Sequence, residues 1–98
     1  MQEDHVSMAW GAARKLRVVV ANLGRILAVE LMCAGHALDL RSPLLPGPAT
    51  GAALAALRRV VTGPGPDGFL SPSLLAAEEL VRDGAIVRAV ERVLGPLA

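Results

Sequence analysis

The chain has 98 residues, of which 53% are apolar, and its mean hydropathy is +0.49. A folded unit this short buries only about two-thirds of the surface of its unfolded chain, so we expect apolar surface to be left over for partners. Ten Lys and Arg residues balance nine Asp and Glu residues, without a run of like charge. This balance argues against nucleic acid or an anionic membrane surface as a partner.

The first 40 residues predict one long helix. The chain does not begin with the basic segment and following apolar stretch of a signal peptide, so we expect no secretory signal. Residues 6–39 contain no proline, and apolar residues recur there at steps of three and four, which is helical spacing. The recurring residues are Ala9, Ala13, Leu16, Val20, Leu23, Leu27, Leu31 and Ala34. Such a helix would be about 50 Å long, whereas a compact domain of this size is about 33 Å across. We therefore expect it to belong to a larger body.

The second half of this helix is apolar nearly all round. Residues 26–38 are therefore expected to be buried, and they carry more apolar surface than the rest of this chain can cover, which predicts self-association. Gly24 and Gly35 are expected to mark close packing or a kink. The single cysteine, Cys33, has apolar neighbours and is expected to be a buried, inert thiol in a reducing cytoplasm.

The same stretch is not expected to span a membrane. Polar groups interrupt residues 18–40 too often for a bilayer span. They are Arg25, Glu30, His36 and Asp39.

A connector and a short helix come next. Residues 42–51 hold three prolines, which predicts a break in helical structure. Thr50 is a plausible N-cap for a helix over about 50–61. The glycines and prolines of residues 63–68 then predict a turn.

The third predicted helix covers about 72–83. Ser71 would cap it, with a proline at its first position, and Gly84 would end it. Glu78 and Arg82 are spaced i,i+4 on this helix, which favours an ion pair along its surface.

The last predicted helix covers about 85–94 and is stopped by Gly95 and Pro96. No segment alternates like a strand for long, and no internal repeat occurs. We therefore predict an all-α fold, with one long N-terminal helix followed by three shorter helices.

Two motifs that could carry chemistry have simpler explanations. Gly63, Gly65 and Gly68 match the letters of a dinucleotide-binding fingerprint, but they follow a helix where the fingerprint needs a strand. A turn is the better interpretation. His5 and His36 lie at opposite ends of the long helix, and neither has a second ligand at metal-binding spacing. We therefore predict no metal site.

Glu3 and Asp4 stand at the predicted start of the long helix. Carboxylates near a helix N-terminus are favoured by the helix dipole, so their position has a purely structural explanation. Spacing and composition alone identify no reaction.

One run of residues is far more specific. Gln2, Glu3, Asp4, His5, Val6, Ser7 and Met8, followed by Ala12, Ala13 and Arg14, resemble a segment of the histidine ammonia-lyases. Similarity continues through the stretches 26–31 and 37–41, and more weakly through 69–72 and 80–90. The resemblance covers nearly the whole chain and is strongest up to Arg41. The histidine ammonia-lyases are one branch of the aromatic amino acid ammonia-lyases.

The resemblance implies a larger assembly. Members of this family are several times longer, mostly α-helical, cytoplasmic homotetramers. Their long helices pack into a central bundle, and their active sites are assembled from more than one subunit. Their electrophile is a methylidene-imidazolone group made from an alanine-serine-glycine triplet. That triplet is absent from this sequence, as is tyrosine, which assists the family's chemistry. The resemblance thus implies that this chain alone is inactive.

The resemblance also implies two site residues. Relatives that act on phenylalanine or tyrosine carry glutamine where Glu3 aligns, so a carboxylate there indicates the histidine branch. Glu3 is expected to be catalytic, contacting the substrate or transferring a proton, and Gln2 is expected to help bind the substrate. A carboxylate removed from water has a raised pKa, which suits acid-base work.

We therefore expect the C-terminal segment of a lyase that converts L-histidine to urocanate and ammonia. Its expected partners are the remainder of the lyase chain or identical subunits. The family has asparagine where this chain has Met1, which implies either that the reading frame starts inside a longer gene or that the sequence was cut there. The nearest variant is another lyase or aminomutase of the same cofactor class. The alternative from a different class is a standalone helical interaction module, a degenerate remnant without catalysis.

Overall fold

The computed structural model describes the backbone of residues 2–63 and 71–97, and the side chains of residues 8–63 and 71–97. Four helices form this part of the chain: α1 (Gln2–Leu40), α2 (Pro48–Arg58), α3 (Ser71–Arg82) and α4 (Ala85–Leu94). No strand occurs in the described ranges. The predicted all-α class, with a long first helix and three shorter ones, is confirmed.

The length of α1 dominates the molecule. Its 39 residues rise about 58 Å, which accounts for most of the 64 Å long dimension. The radius of gyration is 17.7 Å, above the roughly 13 Å of a compact domain of this size. The chain is therefore an elongated body rather than a closed globule.

The three short helices pack near the C-terminal half of α1. The most extensive contacts join α3 to α1 and α2 to α4, while fewer join α3 to α4 and α1 to α2. The buried centre is small. It consists of Ala28, Leu57, Val61 and Ala77, with Leu31, Met32, Ala76 and Leu80 packed around it. Leu57 is the largest fully buried side chain among the described residues.

α2 packs closely against α1 at Gly35. A Cβ atom built there would lie 2.8 Å from Cδ2 of Leu57 and 3.5 Å from Cδ1 of Leu54. A Cβ at Gly24 would make only an ordinary contact, 3.9 Å from Cγ of Arg82. The expectation of close packing is therefore confirmed at Gly35.

The start of α2 differs from the prediction. The helix begins at Pro48, preceded by Gly47 with extended backbone and no side-chain cap, so Thr50 lies within the first turn and is not the N-cap. Proline has no N–H, and the first N–H groups of a helix have no intrahelical partner, so proline can open a helix. This explains the earlier start.

The turn between α3 and α4 follows the prediction. Gly84 has φ 77°, the left-handed conformation that favours glycine. The backbone N–H of Ala85 donates to Oδ1 of Asp83 at 2.8 Å, which satisfies one of the free N–H groups at the start of α4.

Burial along α1 is one-sided. Ala28 and Gly35 are buried, but Ile26, Leu27 and Val29 keep 40–56% of their surface exposed. The expectation that residues 26–38 are buried is therefore right for one face and wrong for the rest. Cys33 is exposed, so the expected buried thiol is also wrong. The physical reason is that α2 and α3 cover only one side of α1.

Residues Met8–Leu40 of α1 are long and apolar enough to cross a membrane, judged by length and composition. One such helix is weak evidence, because the core helix of a soluble protein passes the same test. Two charged residues in it pair with other helices, Arg25 with Glu78 of α3 and Asp39 with Arg58 of α2. These pairs fit a helix that packs against protein.

Candidate functional site

The two predicted site residues lie in the first turn of α1. Gln2 is its first residue and Glu3 follows. The structure thus brings both onto one helical turn, where free N–H groups and the helix dipole favour a carboxylate. Predictions about the side chains of Gln2, Glu3 and His5 lie outside the described residues.

This turn is far from the packed part of the chain. Ala28, the first buried residue described on α1, is 25 positions after Glu3, so the helix rises about 38 Å between them. Residues 12–23 between them are all exposed. A site built around Glu3 must therefore be completed by groups other than the described parts of α2, α3 and α4.

The described residues also contain a cluster of charged side chains, which lies at the contact of α1 with α3. Oε1 of Glu78 lies 3.8 Å from Nε of Arg25 and 3.9 Å from Nη1 of Arg82. The Glu78 side chain is only 14% exposed, whereas both arginines are about two-thirds exposed. The predicted i,i+4 pair is confirmed. No local spacing predicts the contact of Glu78 with Arg25, because Arg25 lies on another helix.

An open groove of about 310 Å³ lies beside this pair. Its lining is mostly apolar and includes Arg25 and Glu78. The carboxylate already faces two guanidinium groups and the lining offers no nucleophile beyond the hydroxyl of Ser71. The arrangement ties α1 to α3 and does not resemble a reaction centre.

A third polar contact holds α2 against α1. Nη2 of Arg58 donates to Oδ2 of Asp39, and both side chains are about one-fifth exposed. Nη1 of Arg58 donates to the carbonyl oxygens of Val61 at 3.3 Å and Thr62 at 3.2 Å. This arginine therefore joins the two helices and also fixes the chain that leaves α2. Nineteen residues separate the pair, so no local spacing predicts it.

The described residues include no group of three potential metal ligands. His36 is exposed on α1. Of the three glycines that match the fingerprint letters, Gly63 is described, and Gly65 and Gly68 lie outside the described residues.

The family of the chain follows from comparisons with known proteins. The family model for aromatic amino acid lyases matches residues 1–59, more than half of the chain. The chain belongs to the aromatic amino acid lyase family.

Its curated relatives are named histidine ammonia-lyases. The chain is 58% identical to the one from Streptomyces avermitilis, and the match covers 100% of this chain and 19% of the relative. It is 59% identical to that of Streptomyces griseus, with 100% of this chain and 20% of the relative covered. The enzyme of Symbiobacterium thermophilum is 52% identical, with 98% and 19% covered. The chain thus spans about a fifth of the length of these relatives. No solved structure matches it.

Proposed function

We propose that the chain is the C-terminal segment of a histidine ammonia-lyase, an enzyme that converts L-histidine to urocanate and ammonia. In this proposal it contributes one active-site carboxylate, Glu3, and helices that form the oligomer. The observation that carries the proposal is the similarity of the whole chain to histidine ammonia-lyases at 58–59% identity.

The form of α1 supports a role for its first turn. The helix extends about 38 Å beyond the first buried residue, Ala28. A carboxylate at the tip of such a helix can be inserted among groups of another subunit or of the remaining lyase chain. There, removal from water would raise the pKa of a carboxyl group, which suits an acid-base role for Glu3. The amide of Gln2 can donate and accept hydrogen bonds to substrate.

The electrophile would come from elsewhere in the enzyme. In the family a methylidene-imidazolone group activates the substrate, and its precursor triplet is absent from this sequence. The chain's own contribution is therefore binding through Gln2 and proton transfer at the Glu3 carboxylate. We place the whole enzyme in the cytoplasm, as the resemblance to this family implies.

A different function is favoured by another observation. Eleven large apolar side chains are exposed among the described residues of α1, and a standalone interaction module would use such a surface to bind another protein without catalysis. The DNA immediately upstream separates the two. An in-frame continuation encoding the alanine-serine-glycine triplet supports the lyase segment, and a native stop codon supports the module.

The role of Glu3 is tested by Glu3→Gln in a complete lyase that carries this segment. The change keeps the size of the side chain and removes its charge and acid proton. If the carboxylate transfers a proton, kcat/KM should fall by roughly 10²- to 10⁴-fold while the melting temperature hardly moves. Steady-state urocanate absorbance and thermal unfolding measure the two quantities.

Asp4→Asn is the matched control, since it removes the same charge one residue later in the same turn. A helix-start role alone predicts a cost under about 1 kcal/mol of stability for either change and nearly unchanged turnover. Activity of the Glu3 variant within about threefold of the parent would show that Glu3 is an ordinary helix-start carboxylate.

A further inference from the structure

A second groove lies between α2 and α4, and we call it the arginine groove. Its volume is about 190 Å³. Pockets for drug-sized ligands measure about 300–1,000 Å³, so the arginine groove suits a smaller molecule. Three arginines line it, Arg59, Arg88 and Arg92, and the other described residues of its lining are apolar. The groove therefore concentrates positive charge, although the chain as a whole has a net charge of only +1.

The packing of α2 on α4 brings these arginines together. Ala56 of α2 and Ala89 of α4 are both buried, and both line the groove. Small side chains at a contact let two helices approach closely. Arg59 follows α2 directly, while Arg88 and Arg92 are spaced i,i+4 on α4 and lie on one face of it. The tertiary contact, rather than a run of basic residues in the sequence, thus places three positive charges around one small groove.

The turn before α4 holds Arg88 in place. Its Nη1 donates to the carbonyl oxygen of Asp83 at 2.5 Å, and its Nη2 lies 3.9 Å from Oδ1 of the same residue. A guanidinium group carries five N–H donors, so donors remain for a ligand. Arg88 is therefore a positioned cation at the edge of the groove.

Arg59 and Arg92 are less well balanced. Among the described residues, neither forms an ion pair with a carboxylate. Glu91 lines a neighbouring cleft with Arg88 and Arg92, but it does not line the arginine groove. Its Oε1 accepts a hydrogen bond from the N–H of Leu97 at 3.5 Å.

The helix dipole gives a simpler explanation for two of these arginines taken singly. Arg59 is the C-cap of α2 and Arg92 lies in the last turn of α4, where the dipole favours a cation. The dipole does not explain why three arginines from two parts of the chain line the same groove. Their mutual repulsion is unfavourable, and a bound anion would relieve it.

We propose that the arginine groove binds a phosphate group, with Arg59, Arg88 and Arg92 donating hydrogen bonds to its oxygens. Guanidinium groups bind phosphate through parallel pairs of N–H donors. The tetrahedral phosphate offers oxygens in several directions, so donors on two helices can reach it at once. A carboxylate offers only two oxygens in one plane. The phosphate is either the free inorganic ion or the phosphoryl end of a small ester.

Isothermal titration calorimetry of the 98-residue chain tests the site and separates the two sources. Sodium phosphate, added at neutral pH and constant ionic strength, should bind at one site per chain with a dissociation constant of about 1 mM or below. Glycerol phosphate is the second ligand. Similar affinity for both supports a site that accepts esters, and binding of phosphate alone supports a site for the free ion. Absence of saturable binding of either ligand would overturn the proposal.

Substitutions then locate the binding. Arg59→Gln and Arg92→Gln should each weaken phosphate binding by about tenfold, because each removes charge-assisted hydrogen bonds. Arg41→Gln is the matched control, since it removes the same charge from an exposed residue that does not line the groove, and it should bind like the parent. Equal losses in all three variants would show that phosphate responds only to the overall charge, and would overturn the site.

Thermal unfolding provides an independent readout and a check on the fold. Arg59 and Arg92 are exposed, so replacing both should leave the melting temperature without phosphate nearly unchanged. Phosphate should raise the melting temperature of the parent and of Arg41→Gln, because a ligand that binds the folded chain stabilises it. The double variant, Arg59→Gln with Arg92→Gln, should show almost no rise. An equal rise in the double variant would place the phosphate elsewhere and refute the inference. The proposed lyase function can fail separately, because neither measurement depends on Gln2, Glu3 or catalysis.

Discussion

Replacing Gly35 by alanine tests how closely α2 is held against α1. A Cβ atom at this position would lie 2.8 Å from Cδ2 of Leu57 and 3.3 Å from Nη2 of Arg58. The first distance is too short for carbon atoms, so one group must move. Leu57 is fully buried and cannot swing into solvent. Arg58 is held by its ion pair with Asp39.

Two opposing effects set the magnitude. Alanine in place of glycine stabilises a helix interior by about 1 kcal/mol. Forcing an extra methyl group into a packed contact costs about 1–3 kcal/mol. Gly35→Ala should therefore lower the free energy of unfolding by up to about 2 kcal/mol. Gly24→Ala is the matched control on the same helix, because its Cβ has room, 3.9 Å from the nearest side-chain atom. It should stabilise by about 1 kcal/mol.

Urea unfolding followed by circular dichroism measures both variants. The protein concentration must be the same throughout, since association adds to apparent stability. We expect the free energies of unfolding of the two variants to differ by about 1–3 kcal/mol, with Gly24→Ala the more stable. In thermal unfolding each 1 kcal/mol corresponds to roughly 4–8 °C for a chain of this size. If Gly35→Ala stabilises as much as Gly24→Ala, the close crossing of the helices is refuted.

Two further substitutions test single polar contacts. Asp39→Asn leaves the partly buried guanidinium of Arg58 without its counter-charge, so the free energy of unfolding should fall by about 1–3 kcal/mol. Urea unfolding measures this loss. A loss below about 0.5 kcal/mol would mean that the ion pair stabilises no more than an exposed one does. Asp83→Ala removes the acceptor of the Ala85 N–H and should cost about 1 kcal/mol, measured by thermal unfolding. An unchanged melting temperature would show that solvent satisfies that N–H equally well.

The sequence by itself determined the helices and the family. The helices depend on signals within a few residues, namely the proline-free stretch with helical spacing and the glycines beside the last helix. Gly84 and Gly95 have φ 77° and 83°, and α4 covers the residues between them. The run that begins at Gln2 indicated the lyase family, because several specific residues there stand in an unbroken order.

Burial and long-range pairing were decided only by the tertiary structure. The sequence around Cys33 is apolar, yet the thiol is exposed, because burial depends on which side of α1 the short helices cover. Arg25 with Glu78 and Asp39 with Arg58 are pairs between helices, and no local spacing specifies them. A helix period fixes which residues share a face, whereas the choice of the covered face depends on the loops and on close packing at Gly35.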